Sequence, residues 1–185
     1  TTQAGNNIAG ANDLGIAGTA GDDTLVAGNG TLMVSGYDGN DSITMGDGIQ
    51  EGFGYLGNDT ISAAGKSGNF FLSGWNGNDS LTGGNGIDIL EGGLGNDYLA
   101  GGAGNDSIYS GLASDTGTAG DDTLYGDDGN DYLRLNGSGN YTAYGGNNDD
   151  TFETRGSGVN VNPASYLLYG DAGNDTLLGE LANDY

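Results

Sequence analysis

The chain has no cysteine and no histidine. The first absence excludes disulfide staples and thiolate metal sites. The second removes zinc-hydrolase centres and the commonest general base. Proline occurs once, at Pro163, and basic residues three times, as Lys66, Arg134 and Arg155. Against these stand 26 acidic residues, for a net charge of −23. A polyanion of this strength repels nucleic acid and anionic membrane, which leaves cations, or surfaces bridged by cations, as partners. There is no run of about 18 apolar residues, so nothing in the sequence reads as a membrane span. No N-terminal signal peptide pattern is visible.

What is abundant is glycine, at 41 of 185 positions. Composition alone therefore describes a disordered chain, too polar and too flexible to offset its own conformational entropy. The spacing of the residues says otherwise. A six-residue window, Gly-x-x-Gly-x-Asp, recurs along the chain, and we number its positions one to six. Positions one, four and six are Gly18, Gly21 and Asp23 in the first window, then Gly36, Gly39 and Asp41, then Gly54, Gly57 and Asp59. Next come Gly74, Gly77 and Asp79; Gly83, Gly86 and Asp88; Gly92, Gly95 and Asp97; and Gly101, Gly104 and Asp106. The later windows hold Gly117, Gly120 and Asp122; Gly126, Gly129 and Asp131; Gly145 and Asp150; Gly170, Gly173 and Asp175; and Gly179 and Asp184. Asn148 and Ala182 replace the fourth-position glycine in two of them. Most intervals between the aspartates are nine residues or about twice nine, a register that marks a repeat architecture.

Worn units fill the longer intervals. Ala27–Leu32, Met45–Gln50, Gly65–Phe70 and Asn136–Tyr141 keep the window's shape but put Leu32, Gln50, Phe70 and Tyr141 at position six. Each window is followed by three residues with an apolar centre: Leu25, Val34, Ile43, Ile61, Leu72, Leu81 and Leu90, then Leu99, Ile108, Leu124, Leu133, Phe152 and Leu177. Polar-apolar-polar over three residues is a very short, half-buried strand.

One unit is thus a turn plus a strand, and two units make a coil of about 18 residues. The fold class read from this is all-β: about nine stacked coils forming two parallel sheets around a thin apolar core. Stability must come from neighbouring coils, since one coil buries little. Stacking also lines up the aspartates, with strands about 4.8 Å apart. Asp23, Asp41, Asp59, Asp79 and Asp97 fall in one row, and Asp88 and Asp106 begin a second on the opposite edge. Such like charges repel unless a cation lies between them. Carboxylates and turn carbonyls are hard oxygen donors, which suit Ca²⁺ with its six to eight flexible ligands better than octahedral Mg²⁺. Several Ca²⁺ ions are the expected cofactor, and softer metals have no ligands here.

The windows resemble the GGxGxDxUx repeats of the RTX (repeats-in-toxin) family, in which U is a large apolar residue. Gly92-Gly93-Leu94-Gly95-Asn96-Asp97-Tyr98-Leu99-Ala100 and Gly101-Gly102-Ala103-Gly104-Asn105-Asp106-Ser107-Ile108-Tyr109 match throughout. The resemblance covers about residues 18 to 184. It implies a right-handed parallel β-roll with Ca²⁺ between successive turns. It further implies ligands from the position-six Asp and from the carbonyls of positions one, two and four, which adds Gly84, Gly93 and Gly102 to the candidates. It also implies a bacterial secreted or cell-surface protein, exported in one step by a C-terminal signal and folding on meeting calcium outside.

Several departures carry their own expectations. Leu32, Gln50 and Phe70 make one edge of the first coils metal-poor and packed by side chains. The register slips between Asp106 and Asp122, where Asp115 is a candidate displaced ligand. Residues 1–17 read as an N-terminal cap or worn repeat, with Asn12-Asp13-Leu14 a half-unit, and 18–185 as the roll. Irregular insertions are expected near 110–117 and 154–168, the second holding Pro163.

Two aromatic rows stand out: Tyr37, Tyr55 and Trp75 at position two, and Tyr125, Tyr144 and Tyr169 just before position one. Equivalent positions of a solenoid form ladders, which stiffen the stack or contact glycan, other surface proteins or further copies of the chain. No Ser-His-Asp, Cys-His or phosphate-binding constellation exists, so no enzyme is expected. The leading reading is a non-catalytic calcium-binding part of a surface layer, adhesin or extracellular filament. The alternative is a C-terminal export and folding module of a secreted protease, lipase or polysaccharide epimerase. An ice-binding solenoid ranks below both, because position three varies as Ala20, Asp38, Leu56, Asn76, Asn85 and Leu94.

Overall fold

The computed structural model describes residues 7–8, 14–48, 50–111, 120–137, 139–156 and 165–179. Its strands alternate between two sheets. The first contains β1 (Asn7–Ile8), β3 (Thr24–Val26), β5 (Ser42–Thr44), β7 (Thr60–Ser62), β9 (Ser80–Thr82), β11 (Tyr98–Ala103), β13 (Thr123–Asp128), β15 (Asn140–Asn147) and β17 (Ser165–Ala172). The second contains β2 (Ile16–Ala17), β4 (Met33–Asp38), β6 (Gln50–Leu56), β8 (Phe70–Asn76), β10 (Ile89–Leu94), β12 (Ser107–Tyr109), β14 (Tyr132–Gly137), β16 (Thr151–Gly156) and β18 (Thr176–Gly179). Each sheet has nine strands in simple succession, and every pairing is parallel. This is a parallel β-roll.

The strands are short because the apolar pattern is short. In Thr24-Leu25-Val26 and its repeats the central residue alone points inward. Leu25, Ile43, Ile61, Leu81, Leu99 and Leu124 stack in one column, and Val34, Leu72, Leu90, Ile108, Leu133 and Phe152 stand in the other, all buried. Complete burial of one such side chain contributes roughly 1.5–3 kcal/mol. The second column has a gap at Gly52, which pairs with Val34 and Leu72. The Met45 sulfur fills it, 3.2 Å from where a Gly52 Cβ would lie. Met is the side chain best able to reach sideways into an irregular space. Leu177, read from sequence as core, is 60 % exposed. It lies on β18, the last strand of its sheet, so no further coil covers it among the described residues.

Two side-chain ladders tie coil to coil. At position five, Asn40 Oδ1 accepts the Asn58 N–H (2.7 Å), Asn58 Oδ1 that of Asn78 (2.7 Å), and Asn78 Oδ1 that of Asn96 (2.7 Å). These bonds reach forward along the chain. At position six the bonds reach backward, as described below. Each turn is thus clamped from both sides, which satisfies backbone donors that short strands cannot pair.

The two extra residues between Asp59 and Asp79 fall within a turn. Asp59 to Asp79 spans two residues more than a coil, and Ser62 pairs with Thr82, so Ala63 rather than Gly65 occupies position one there. Ala64 and Gly65 form the added turn, closed by Lys66 N–H to the Ala63 carbonyl at 2.9 Å. Of the interval 154–168, residues 154–156 belong to β16 and 165–168 to β17. Pro163, Asp115, the pair Asn12-Asp13 and all of 112–119 lie outside the described residues.

Candidate metal centres

The chain crosses from the second sheet to the first along one edge and returns along the other. Along the first edge Asp23, Asp41, Asp59, Asp79, Asp97 and Asp122 form a row; along the second, Asp88, Asp106, Asp131, Asp150 and Asp175 do so. All but Asp175 are buried. Each carboxylate spends one oxygen on its row. Oδ1 of Asp41 accepts the Asp23 N–H at 2.8 Å, and Asp59, Asp79, Asp97 and Asp122 follow suit at 2.7–2.9 Å. In the second row Asp88 Oδ1 takes the Phe70 N–H, and Asp106, Asp131, Asp150 and Asp175 continue at 2.7–3.0 Å.

The other oxygen is left over. Oδ2 has no hydrogen-bond partner in Asp41, Asp59, Asp79, Asp97, Asp106, Asp122, Asp131 and Asp150. Burial pushes the carboxyls up: Asp97 and Asp122 to about 8, Asp59 and Asp106 to about 7, Asp79 and Asp131 to about 6. The backbone N–H bonds pull the other way, and repulsion within the row adds to the rise for Asp59, Asp97, Asp106, Asp122 and Asp131. A buried, unpaired charge is too costly to persist without a counter-ion or a proton. Two carboxylates are exceptions. Asp23 Oδ2 accepts from Thr19 N–H (2.6 Å) and hydroxyl (2.9 Å), and Asp88 Oδ2 from Gly84 N–H (2.6 Å).

Every orphan Oδ2 but that of Asp122 faces position one of its own window, where glycine leaves room. A Cβ on Gly101 would sit 2.5 Å from Asp106 Oδ2 and 2.8 Å from the Gly126 carbonyl of the next coil. The same oxygen pair crowds Gly74 (Asp79 Oδ2, with the Gly92 carbonyl at 2.7 Å) and Gly145 (Asp150 Oδ2, with the Gly170 carbonyl at 2.8 Å). Gly18, Gly36, Gly54, Gly83, Gly92, Gly126 and Gly170 face the aspartate of their window likewise. The space a side chain would take is lined by a carboxylate and a carbonyl from successive coils. That donor set fits a hard cation, and Ca²⁺ in particular. Among the described residues no three acidic side chains converge on one point. Each ion would draw few carboxylates and complete its shell with carbonyls.

The carbonyls of positions two and four are arranged differently. Those of Gly39, Gly57, Gly77, Gly86 and Gly104 point at the fourth-position glycine of the next coil: Gly57, Gly77, Gly95, Gly104 and Gly129. Gly84 likewise faces Gly102, and Trp75 faces Gly93. At Gly77 the requirement for glycine is double, since φ is +135° and a Cβ would drive into the Gly57 carbonyl. Gly21 and Gly120 keep the fourth-position place in their turns, with Gly120 stacked on Gly95; in Gly173 a Cβ would meet the Asn148 carbonyl. Asp184 lies outside the described residues, as does Gly117.

The register of the Asp122 window differs from its sequence spacing. Tyr109 pairs with Glu91, so Ser110, not Gly117, follows at position one. Its carbonyl lies 2.6 Å from the Cβ place of Gly92 and supplies the partner oxygen for the Asp97 site. Sequence spacing could not find Ser110, because an insertion separates it from Asp122.

Where aspartate is missing, position one changes too. On the second edge of the early coils, Ala27, Met45 and Ala63 precede the glycines Gly83 and Gly101 in the same column. All three are buried. Gln50 Oε1 accepts the Gly46 N–H (2.9 Å) and its Nε2 donates to the Gly28 carbonyl (3.2 Å), an amide proton serving in place of a cation. Phe70 is buried as expected, but Leu32 turns outward, 54 % exposed, while Thr31 takes the interior. On the first edge beyond Asp122, Leu135 occupies position one and Tyr141 position six; the Tyr141 hydroxyl donates to the Asn136 carbonyl. Gly-plus-Asp and side-chain-plus-plug recur along both edges, with the Ser110–Asp122 turn an exception, and the first member was a signal available in the sequence.

A family model described as RTX calcium-binding nonapeptide repeat matches in four copies, at residues 53–90, 82–116, 116–141 and 167–185, more than half of the chain. No curated protein and no solved structure matches.

Proposed function

The chain belongs to the RTX calcium-binding nonapeptide-repeat family, and from that premise we propose that it is a non-catalytic domain that folds around extracellular Ca²⁺ as a structural part of a secreted or cell-surface bacterial protein. The observation that carries this reading is the set of eight buried Oδ2 atoms without partners, seven of which face a glycine cradle. Position-six aspartates and position-one carbonyls would hold the ions. Once bound, Ca²⁺ supplies the charge that lets two coils stack carboxylate on carboxylate; no redox or Lewis-acid chemistry is called for. Thr19 and Gly84 hold the end carboxylates, Asp23 and Asp88, in place by their N–H groups.

Raised carboxyls near pH 7 are also what general acids look like. Here they lie between coils, all but Asp122 beside a position-one glycine, and the row repeat accounts for each of them. Sites rich in neutral carbonyls belong to the weak, extracellular end of the calcium scale, which supports folding after export. No helix among the described residues is long and apolar enough to cross a membrane. The division into an N-terminal cap, 1–17, and a roll, 18–185, is part of the same proposal.

Chelation tests it. With calcium removed at pH 8, far-ultraviolet circular dichroism should report a disordered chain, and millimolar Ca²⁺ should restore β-structure, since metal binding is folding free energy here. A spectrum indifferent to chelator would sink the proposal.

A further inference from the structure

The second sheet carries a surface that calcium binding does not explain. Six exposed large apolar residues, Met33, Tyr37, Leu56, Trp75, Ile89 and Leu94, stand on β4, β6, β8 and β10. Tyr37, Tyr55 and Trp75 are direct partners across the strands. Their rings stack at 5.5 and 5.7 Å. All three have left-handed backbone, with φ of +78°, +80° and +75°. That conformation is an outlier for bulky side chains. The next coil uses Gly93 there, at φ +113°. Aromatic rings thus occupy positions that the backbone itself would give to glycine, which points from strain to use.

Stacking covers ring faces within the ladder but not at its end. Trp75 has Tyr55 on one side, and on the other its strand partner is Gly93, with no side chain. Trp75 remains 40 % exposed. Glu91 lies on the same strand as Gly93, two residues earlier, diagonal to Trp75 and within reach of a bridging group. It is half-buried, and its carboxylate has neither hydrogen bond nor ion pair among the described residues. An indole face beside a carboxylate is the environment that attracts an organic cation. The same sheet already seats one: the Arg134 guanidinium lies over the Tyr109 ring, 5.7 Å from its centroid, and Tyr109 is the strand partner of Glu91.

Charge decides what covers this face. None of the three basic residues lies on β4, β6, β8 or β10, whereas Asp38, Glu51 and Glu91 do. A second copy apposed through the same face would bring its own Asp38, Glu51 and Glu91 and no basic residue. We propose that the outer face of β4, β6, β8 and β10 is a docking surface for a basic segment of a partner protein, which seats an arginine guanidinium on the open face of Trp75 beside Glu91. This goes beyond the calcium-dependent fold and requires only that the fold be formed.

Trp75 is the only tryptophan, so its fluorescence reports the site directly. The calcium-loaded chain is titrated with a blocked peptide of alternating arginine and leucine, and with the same peptide carrying citrulline, the neutral isostere. The arginine peptide should change Trp75 emission saturably, and citrulline should weaken the effect at least tenfold. Glu91→Gln should weaken arginine-peptide binding about tenfold. Asp149→Asn removes the same charge at a position where Asn130 and Asn174 are the natural equivalents, and should leave binding unchanged. Trp75→Phe, followed by calorimetry, should also weaken it. Circular dichroism of each sample in calcium separates loss of docking from loss of fold. No saturable change, equal binding of citrulline, or equal losses in Glu91→Gln and Asp149→Asn would overturn the proposal, the last by showing attraction to a polyanion in general.

Discussion

Protons should substitute for calcium in this fold. Asp97 and Asp122 rise from the ordinary 3.8 to about 8, mainly through burial. At about 1.4 kcal/mol per pKa unit, each stands for a difference on the order of 5 kcal/mol between its protonated and ionised forms in the metal-free fold. The two are neighbours in one row and repel each other, so their contributions do not simply add. Even one is comparable with the whole stability of a typical domain, about 5–15 kcal/mol. These carboxyls bind protons more tightly folded than unfolded. Their stabilising contribution is therefore complete below about pH 4 and is lost as the pH rises through roughly 6 to 8. The perturbation is acidification of metal-stripped protein from pH 8 to pH 5, stopping short of the isoelectric point near 4.1. Circular dichroism should show β-structure appearing without metal, and sedimentation velocity should show a compact monomer. The midpoint for calcium binding, followed by calorimetry, should move to higher concentration as the pH falls, because protons compete for the same oxygens. Lower net charge also favours compaction on acidification, and Asp97→Asn separates the two effects. That variant keeps the charge of the other rows but loses one raised carboxyl, so it should be less disordered than the parent at pH 8 without metal. Metal-free spectra that stay flat between pH 8 and pH 5, or β-content that falls on acidification, would refute the reasoning.

Gly77→Ala should destabilise the calcium-loaded roll by more than about 2 kcal/mol in urea titration, combining a left-handed alanine with a Cβ driven into a carbonyl. Asp106→Asn should raise the calcium midpoint several-fold and lower the bound calcium by calorimetry, since ligand charge sets affinity in oxygen sites. Tyr141→Phe should cost roughly 1–2 kcal/mol with calcium present, by leaving the buried Asn136 carbonyl without its donor; an unchanged urea midpoint would remove the plug role given to its hydroxyl.

The repeat made most of this fold legible before any coordinates. Leu25 through Phe152 sit where alternation put them, because a three-residue strand leaves one inward choice. Two of the failures share one cause: spacing counts residues, whereas hydrogen bonds between coils set the register. Gly65 and Gly117 look like position one, but Ala63 and Ser110 hold it, since the strand pairing that precedes each turn sets the register. Met45 at the Gly52 gap was hidden because its column is filled from the other sheet. Leu32 fits an inward pattern yet turns out, with the smaller Thr31 taking the interior. Leu177 fits the pattern too, but a pattern does not reveal where stacking stops. At the candidate sites the aspartates were evident, whereas the pairing of all but Asp122 with a position-one glycine became visible only once Oδ2 and the next coil's carbonyl were seen around one gap.

The two rows of aspartate run along different lengths of the roll. The first edge is furnished from Gly18 to Asp122, the second from Gly83 to Asp175, and only the middle coils have both. As a mechanical element, such a rod is riveted on both margins at its centre and on one margin toward each end. Tension along the chain would peel the ends first, from their unriveted margins. Falling calcium would shorten the rod from both ends toward a double-riveted waist.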